Sequence, residues 1–366
     1  MARIAVLHNT LDLRGGADAV CLHVCHALDE HDVTLYTISE TDPHDLGQLF
    51  GIDVDVRVRQ PPVGRGIARA FATAAPYAGP QLAARSALLS RWIRSRLDGY
   101  DLAVSTANEF VLPVPSVQYV HFPQFSLSDC PPADPGRLNG LWTRIAGVDD
   151  GLPADTTLVA NSGWTADVVG ELYGRRPTVA YPPVDRIEDT VPWHEREQGA
   201  VVVGRLAPDK RVLDAISVID GVRKRGRGCH LHIVGSAASS YREYVDRVER
   251  AATRREYVHL EREVDRDRLE TLLGTHRYGL NTKPDEHFGM SLAECVAAGM
   301  IAFAPDSGGQ REILDGRQDR LFDSPSEAAT LLTATIERGD RPTLDRDRFE
   351  SGRFHEQIRT LVAQRL

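Results

Sequence analysis

Short runs of β-branched and aliphatic residues alternate with amphipathic helical stretches along the whole chain, the pattern of parallel sheets covered by helices on both faces. In the first half, strands are expected at Ile4 to Leu7, Val33 to Tyr36, Leu102 to Ser105, Ser116 to Val120 and Thr157 to Ala160. In the second half they are expected at Val201 to Val203, His230 to Val234, Tyr257 to Leu260, Tyr278 to Asn281 and Ile301 to Ala304. A chain of 366 residues has room for two domains, each with its own core. Tyr181-Pro182-Pro183-Val184-Asp185 lies between the halves. Two adjacent prolines fix backbone dihedrals and remove donors, so this segment and the polar stretch through Gln198 read as an interdomain hinge. The expected fold class is α/β, two doubly wound domains facing one another across a cleft, with ligands at the carboxyl ends of the strands. The boundaries fall at residues 1–183 and 184–347.

Charge and cysteine usage exclude several function classes. Forty-three Lys and Arg against 52 Asp and Glu give a net charge of −9, which offers no global attraction for nucleic acid. The five cysteines, Cys21, Cys25, Cys130, Cys229 and Cys295, are scattered without Cys-x-x-Cys or Cys/His ligand spacing, which argues for a reducing compartment and against a zinc site. Cys21 and Cys25 read as neighbours on one helix face. The chain opens almost at once on a strand, and no stretch reaches the about 18 apolar residues of a membrane span, so a cytoplasmic location is expected. Only Lys210, Lys224 and Lys283 are lysine; every other basic side chain is arginine. Between Arg57 and Leu97 stand eight arginines, at 57, 59, 65, 69, 85, 91, 94 and 96, and no acidic residue. Interleaved with Ile67, Phe71, Tyr77, Leu82, Leu88, Leu89, Trp92 and Ile93, they describe either basic amphipathic helices suited to an anionic membrane surface or a solvated helical face.

The chemistry is concentrated in three strand-to-helix loops. After the first strand, Arg14-Gly15-Gly16-Ala17-Asp18 leads into a helix expected over Ala19 to Leu28. A paired glycine at a helix start lets amides approach an anion, although Gly-x-Gly-x-x-Gly is absent and a plain turn is the alternative. Val201-Val202-Val203-Gly204-Arg205-Leu206-Ala207-Pro208-Asp209-Lys210 sends two cations, Arg205 and Lys210, from the carboxyl end of a buried strand, where they can neutralise a pyrophosphate leaving group. In a chain that uses arginine nearly everywhere, Lys210 points to a site that needs a compact point charge. The third loop, Pro284-Asp285-Glu286-His287-Phe288-Gly289-Met290-Ser291-Leu292-Ala293-Glu294, follows a strand and opens a helix near Met290. The amides of Gly289, Met290, Ser291 and Leu292 can cradle phosphate between Glu286 and Glu294. Two carboxylates about an anion site suit a sugar nucleotide, whose hydroxyls donate to them.

Taken together, these motifs resemble those of the retaining glycosyltransferases of family 4, which have the two-domain Rossmann-like GT-B fold. Glu286 and Glu294 match that family's Glu-x7-Glu spacing. Glu286-His287-Phe288-Gly289, Ala297-Ala298-Gly299, Asp306-Ser307-Gly308-Gly309, Gly204-Arg205-Leu206 with Lys210, Asn161-Ser162 with Thr165, and Tyr181-Pro182-Pro183 follow the same pattern over nearly the whole chain. The likeness implies that Glu286 meets the donor sugar, Glu294 the ribose, and Arg205 and Lys210 the diphosphate. It also implies that Phe288 to Leu292 line the nucleotide site, that Gly16 meets phosphate from the first domain, and that neither a metal nor a cofactor is used. Val120-His121-Phe122-Pro123 looks like the family histidine that approaches the transferred sugar; a purely structural histidine is the alternative. The segments around His121 and His287 are similar in particular to mannosyltransferases that extend lipid-linked oligosaccharides, which fits the arginine-rich stretch and a peripheral place at a membrane. Asp18 departs from the pattern, standing where Glu is usual. In GT-B enzymes a terminal helix returns to the first domain, as expected here for Arg348 to Leu366, with Phe349, Phe354, Ile358 and Leu361 on one face.

The resulting expectation is metal-independent transfer of a mannose- or glucose-type hexose from a nucleoside diphosphate sugar to a glycan or lipid-linked hydroxyl, with retention. A sugar-nucleotide epimerase of similar fold needs no acceptor, and a noncatalytic sugar-nucleotide-binding protein turns over no donor. Hydride transfer is disfavoured by the missing dinucleotide loop.

Overall fold

In the computed structural model every run singled out above is a strand, because a buried parallel strand needs continuous aliphatic sequence while the turns that bound it need Gly, Pro, Asp or Asn. The structure describes residues 1–78, 81–125, 138–148, 151–237 and 241–366; Cys130 and the side chain of Tyr77 lie outside the described residues. The chain forms two units, Met1–Pro183 with Ser351–Leu366, and Val184–Glu350.

The strands of the first unit are β1 (Arg3–Leu7), β2 (Asp32–Tyr36), β3 (Arg57–Arg59), β4 (Leu102–Ser105), β5 (Ser116–Val120), β6 (Thr156–Ala160) and β7 (Thr178–Val179). All pair in parallel, in the order β3-β2-β1-β4-β5-β6-β7. Its helices are α1 (Gly16–Ala27), α2 (Pro43–Phe50), α3 (Gly64–Ala78), α4 (Leu82–Ile93), α5 (Asn139–Ala146) and α6 (Gly163–Tyr173). In the second unit β8 (Glu197–Val203), β9 (His230–Gly235), β10 (Val258–Arg262), β11 (His276–Leu280), β12 (Ile301–Pro305) and β13 (Leu321–Phe322) form a parallel sheet in the order β10-β9-β8-β11-β12-β13. Its helices are α7 (Val212–Lys224), α8 (Arg242–Thr253), α9 (Arg266–Thr275), α10 (Met290–Ala297), α11 (Gln310–Ile313) and α12 (Pro325–Arg338). The strand order of each sheet reverses direction once, between β1 and β4 and between β8 and β11. Those are the switch points outside which ligands bind in open parallel sheets.

Three short strands escape the sequence pattern: β3, β7 and β13 are two or three residues each and sit at sheet edges, where little burial is demanded of them. The polar stretch expected to run as hinge through Gln198 already belongs to β8, which starts at Glu197. Helix α1 begins at Gly16, not Ala19, because Gly15 takes the extended N-cap conformation and its amide is bound by Asp18 Oδ2 at 3.0 Å.

The final helix, α13 (Ser351–Ala363), buries Phe354, Ile358, Leu361 and Val362 in the core of the first unit beside α1. Phe354 meets Tyr119 of β5 edge to face at 5.8 Å. Phe349 does not lie on that helix face: it precedes the helix, belongs to the second unit and packs on Phe288 at 5.3 Å.

Of the eight arginines in the stretch, Arg85 alone is buried, and several of the exposed ones are paired. Arg85 is buried, donating to Thr10 Oγ1 and to the Ile38 carbonyl at 2.8 Å each and pairing with Asp12 at 3.3 Å, so it cannot lie on a membrane-facing surface. Arg57 pairs with Asp32, Arg69 with Glu40, and Arg94 donates to the Ala146 carbonyl, while Leu89 and Ile93 are core. Arg59, Arg65, Arg91 and Arg96 are exposed, as are the paired Arg57, Arg69 and Arg94. No helix among the described residues is long and apolar enough to cross a membrane.

Candidate active site

The second unit gathers its charged groups at the carboxyl ends of β8 and β11, on either side of the switch point. Beyond β8 the chain turns through Gly204, and a short 3-10 turn over Pro208–Lys210 brings Lys210 back toward β11. The Thr282 hydroxyl donates to the Lys210 carbonyl at 2.8 Å, tying the two loops together through backbone. Lys210 Nζ lies 2.7 Å from Glu286 Oε2, and Lys283 Nζ lies 3.4 Å from the other oxygen. The Glu286 side chain is only 13% exposed. Burial pushes its carboxyl up, but Lys210 and Lys283 outweigh burial and hold it down to about 2. It is therefore a fixed anion, an acceptor able to take two hydroxyl hydrogen bonds. Burial and Lys283 lower the neighbouring His287 to about 4, so that ring is neutral.

Loop geometry fixes Glu286 from its backbone. Asp285 is left-handed (φ 51°), its amide donating to Ser307 Oγ at 2.9 Å, and the Gly309 amide donates to the Glu286 carbonyl at 2.8 Å. Gly289 (φ 108°) then turns the chain into α10, where the amides of Gly289, Met290 and Ser291 have no acceptor within the helix. The Leu292 amide is already bound by the Gly289 carbonyl at 2.9 Å, and the Leu292 side chain is buried, so the open amides are three and not four. The Phe288 ring is 2% exposed and packed on Phe349. Glu294, one turn further along α10, is bound by Arg266 Nη1 of α9 at 2.5 Å. Arg205 is exposed and loosely paired with Asp209 at 3.6 Å.

The sequence reading missed Lys283 and Arg266. Lys283 carried a signal, being one of only three lysines, two of which converge on Glu286. Arg266 carried none, since nothing in its own segment reveals that α9 lies beside α10. A cavity of ≈ 120 Å³ lined by Arg211, Thr282, Pro284, Asp306 and Ser307 adjoins these loops, too small for a nucleoside diphosphate, which needs several hundred Å³.

The first unit has a polar cluster at its own switch point. His8 Nε2 meets Asp18 Oδ1 at 3.0 Å, both side chains fully enclosed, and His8 Nδ1 faces Thr106. Burial opposes the charge on His8, yet the Cys21 sulfur and the Asp18 carboxylate beside it raise its pKa. Asp18 thus closes the glycine turn as well as holding His8, leaving Gly16 in the first turn of α1. His121 follows β5, its amide donating to Asn108 Oδ1 at 2.7 Å and its Nε2 lying 3.2 Å from the Thr106 carbonyl. Asn161, Ser162 and Thr165 are buried and structural: Asn161 donates to the His121 carbonyl, and Ser162 Oγ caps α6 by accepting the Thr165 amide. Left-handed non-glycine residues follow all four switch-point strands, Arg14 after β1, Asn108 after β4, Arg211 after β8 and Asp285 after β11. Such backbone strain clusters where a loop must hold a functional group in place.

One consequence of the Glu286 environment is measurable without any substrate. Its folded pKa is depressed, so the stabilisation is fully present above its unfolded value of 4.5 and is lost as pH falls toward about 2. A depression of that size is worth on the order of 3 kcal/mol. Glu286→Gln lacks this term, so the stability difference between wild type and variant, followed by denaturant unfolding, narrows between pH 5 and 2 by that order. A constant difference across the range means that Lys210 and Lys283 do not hold the carboxylate in solution.

Comparisons with known proteins bear on the fold and on the type of the second unit. Residues 184–338 match the family model described as glycosyl transferases group 1. The GDP-Man:Man(3)GlcNAc(2)-PP-Dol alpha-1,2-mannosyltransferase of Eremothecium gossypii is 29% identical over 164 residues, 41% of this chain and 28% of that protein. The human protein of the same name is 28% identical over 177 residues, 44% of this chain and 36% of that protein. The matched stretch thus spans about a third of the length of these relatives. Among solved structures, Anabaena HepE, crystallised with UDP and glucose, covers 100% of both chains at 17% identity with a TM-score of 0.70. WaaG, a glycosyltransferase involved in lipopolysaccharide biosynthesis, covers 97% of this chain and 99% of its own at 17% identity with a TM-score of 0.66. The fold is that of the two-Rossmann GT-B glycosyltransferases, and within the second unit residues 184–338 are similar to the glycosyl transferases group 1 model.

Proposed function

We propose that the chain is a retaining glycosyltransferase of family 4 type that moves a hexose from a nucleoside diphosphate sugar to a hydroxyl of a glycan or lipid-linked acceptor. The observation that carries this reading is the Lys210–Glu286–Lys283 cluster beside the open amides of Gly289 to Ser291 at the β8/β11 switch point. An ionised carboxylate there suits the sugar hydroxyls, and two lysines, Arg205 and the amides suit the departing diphosphate. Glu294, oriented by Arg266, is the acceptor for the ribose hydroxyls. Gly16 and His121 are assigned to the donor phosphate and the transferred sugar. The charge that leaves with the diphosphate is met by fixed cations, so the reading needs neither metal nor cofactor. The curated relatives are GDP-mannose enzymes and Anabaena HepE holds UDP, so the donor is proposed only as a mannose- or glucose-type nucleotide.

Calorimetric titration with UDP and GDP tests the reading. One nucleotide binds with micromolar affinity, and Arg205→Ala weakens it tenfold or more, the loss of one charge-assisted contact. If neither binds, the assignment of these loops to a nucleotide sugar falls. Peripheral membrane contact through the exposed arginines of the stretch Arg57 to Leu97 belongs to the lipid-linked version of the proposal; absence of co-sedimentation with anionic vesicles removes that version and leaves a soluble acceptor.

A further inference from the structure

At the opposite, amino-terminal end of the second sheet, three of four adjacent strands bring histidines onto one face. His230 and His232 are two residues apart on β9 and so share a face. His259 of β10 pairs in register with His232, and His276 opens β11 opposite Glu197 of β8. Between β9 and β11 the intervening residue of β8 is Gly199, in register with His230. A Cβ at Gly199 would stand 2.3 Å from His230 Nε2 and 2.6 Å from His276 Cδ2. A glycine inside a buried strand weakens it, and here its absent side chain is what lets the two imidazoles close over the strand.

The ring nitrogens converge. One nitrogen from each of His230, His232 and His276 lies within 4.8 Å of the other two, and His230 Nε2 faces His276 Nε2 at 3.0 Å. Hydrogen bonds behind the rings set which nitrogen carries the lone pair. His276 Nδ1 lies 2.8 Å from the Leu272 carbonyl, which can only accept, so Nδ1 holds the proton and Nε2 the lone pair. His232 Nδ1 lies 2.6 Å from Glu261 Oε1 and is fixed the same way, by a carboxylate. Carbonyl and carboxylate acceptors behind imidazoles are the partners that orient histidine ligands on a metal. Glu197 Oε2 lies 3.5 Å from His230 Nε2, outside the tight group of three but near enough to complete it. The His232 and His230 side chains are 13% and 24% exposed, which gives an ion a way in.

We propose that His230, His232 and His276, with Glu197 as fourth ligand, bind one divalent transition-metal ion of the zinc class. Imidazole donors select zinc, cobalt, nickel or copper over magnesium and calcium, which prefer all-oxygen sites. In the metal-free chain, His230 Nε2–H donates to the lone pair of His276 across their 3.0 Å contact; on binding, the metal takes that place and His230 changes to the tautomer protonated on Nδ1, staying neutral. The ion ties β8, β9 and β11 together at the end of the sheet away from Glu286 and Lys210. Its role is therefore to brace the second unit, separate from sugar transfer. Cysteine spacing carries no trace of this site; its visible signature is His-x-His within a strand run.

The test is calorimetric and optical titration of the full chain, treated with EDTA and then dialysed free of it, with cobalt(II) and zinc(II). The expected result is one equivalent bound, with visible cobalt absorption that zinc abolishes. Glu261→Gln weakens binding about tenfold or more, and His232→Ala about a hundredfold or more. Both substitutions fall on partly exposed side chains, and circular dichroism verifies that each variant is folded. Absence of saturable binding overturns the proposal. So does equal affinity in folded His232→Ala, which places the ion elsewhere, such as at His23, His26 and His355 of the first unit.

Discussion

Lys210→Ala lowers kcat with the donor that binds by roughly a hundred- to a thousandfold, the loss seen when one fixed positive group is removed from a developing anion. The substitution leaves the loop in place, because it is the Lys210 carbonyl, not the ammonium, that receives the Thr282 hydroxyl. Glu286 also keeps a cation, Lys283 at 3.4 Å, so the carboxylate stays ionised at neutral pH. The measurement separates two roles for the ammonium. If Lys210 serves only to hold Glu286, the variant loses stability while kcat/KM stays within a few fold of wild type. If it meets the diphosphate, the rate falls with the fold intact. Lys210→Arg restores little of that rate, since a planar guanidinium does not replace a compact ammonium wedged against a buried carboxylate. Steady-state kinetics of the two variants, with thermal unfolding alongside, gives the answer, and a near-normal rate in Lys210→Ala removes it from the transfer step.

What the sequence discloses here follows from how local each cause is. Buried parallel strands are written as aliphatic runs, so ten of them are legible, whereas edge strands such as Thr178–Val179 bury too little to leave a pattern. Glycine turns and the Glu286/Glu294 spacing are local as well, and the structure puts both carboxylates at the carboxyl end of the second sheet. Partners supplied by other elements are invisible from their own segments: Arg266 reaches Glu294 from α9, and Ser307 holds Asp285 from the loop after β12. Charge patterning misleads for the same reason. Arg85 belongs to a basic run but points inward, because Asp12, Thr10 and the Ile38 carbonyl surround its guanidinium and make burial tolerable. Phe349 fits the apolar spacing of the last helix, yet the helix starts two residues later and the ring packs against Phe288.

The steric side of the site is testable at one glycine. Gly308 has φ +70°, and a Cβ there would lie 2.4 Å from the carbonyl oxygen of Glu286 and 2.7 Å from its amide nitrogen. Neither obstacle is a flexible side chain that can swing aside, so Gly308→Ala must move the Glu286 backbone or the turn that carries Gly309. Left-handed strain and overpacking together cost about 2 to 5 kcal/mol. The displacement also pulls Glu286 out of reach of Lys210, so activity falls further than the loss of folded protein alone explains. Gly316→Ala is the control. It too has a positive φ, of +64°, but nothing lies within 4 Å of its Cβ, so it carries the backbone strain without the collision. The expected order in unfolding temperature is wild type, then Gly316→Ala, then Gly308→Ala by a clear margin, with catalysis lost only in the last. Equal unfolding temperatures for the two variants mean that the Glu286 loop yields to an added methyl group. The carboxylate would then be positioned by its lysines and not by the close approach of two backbones.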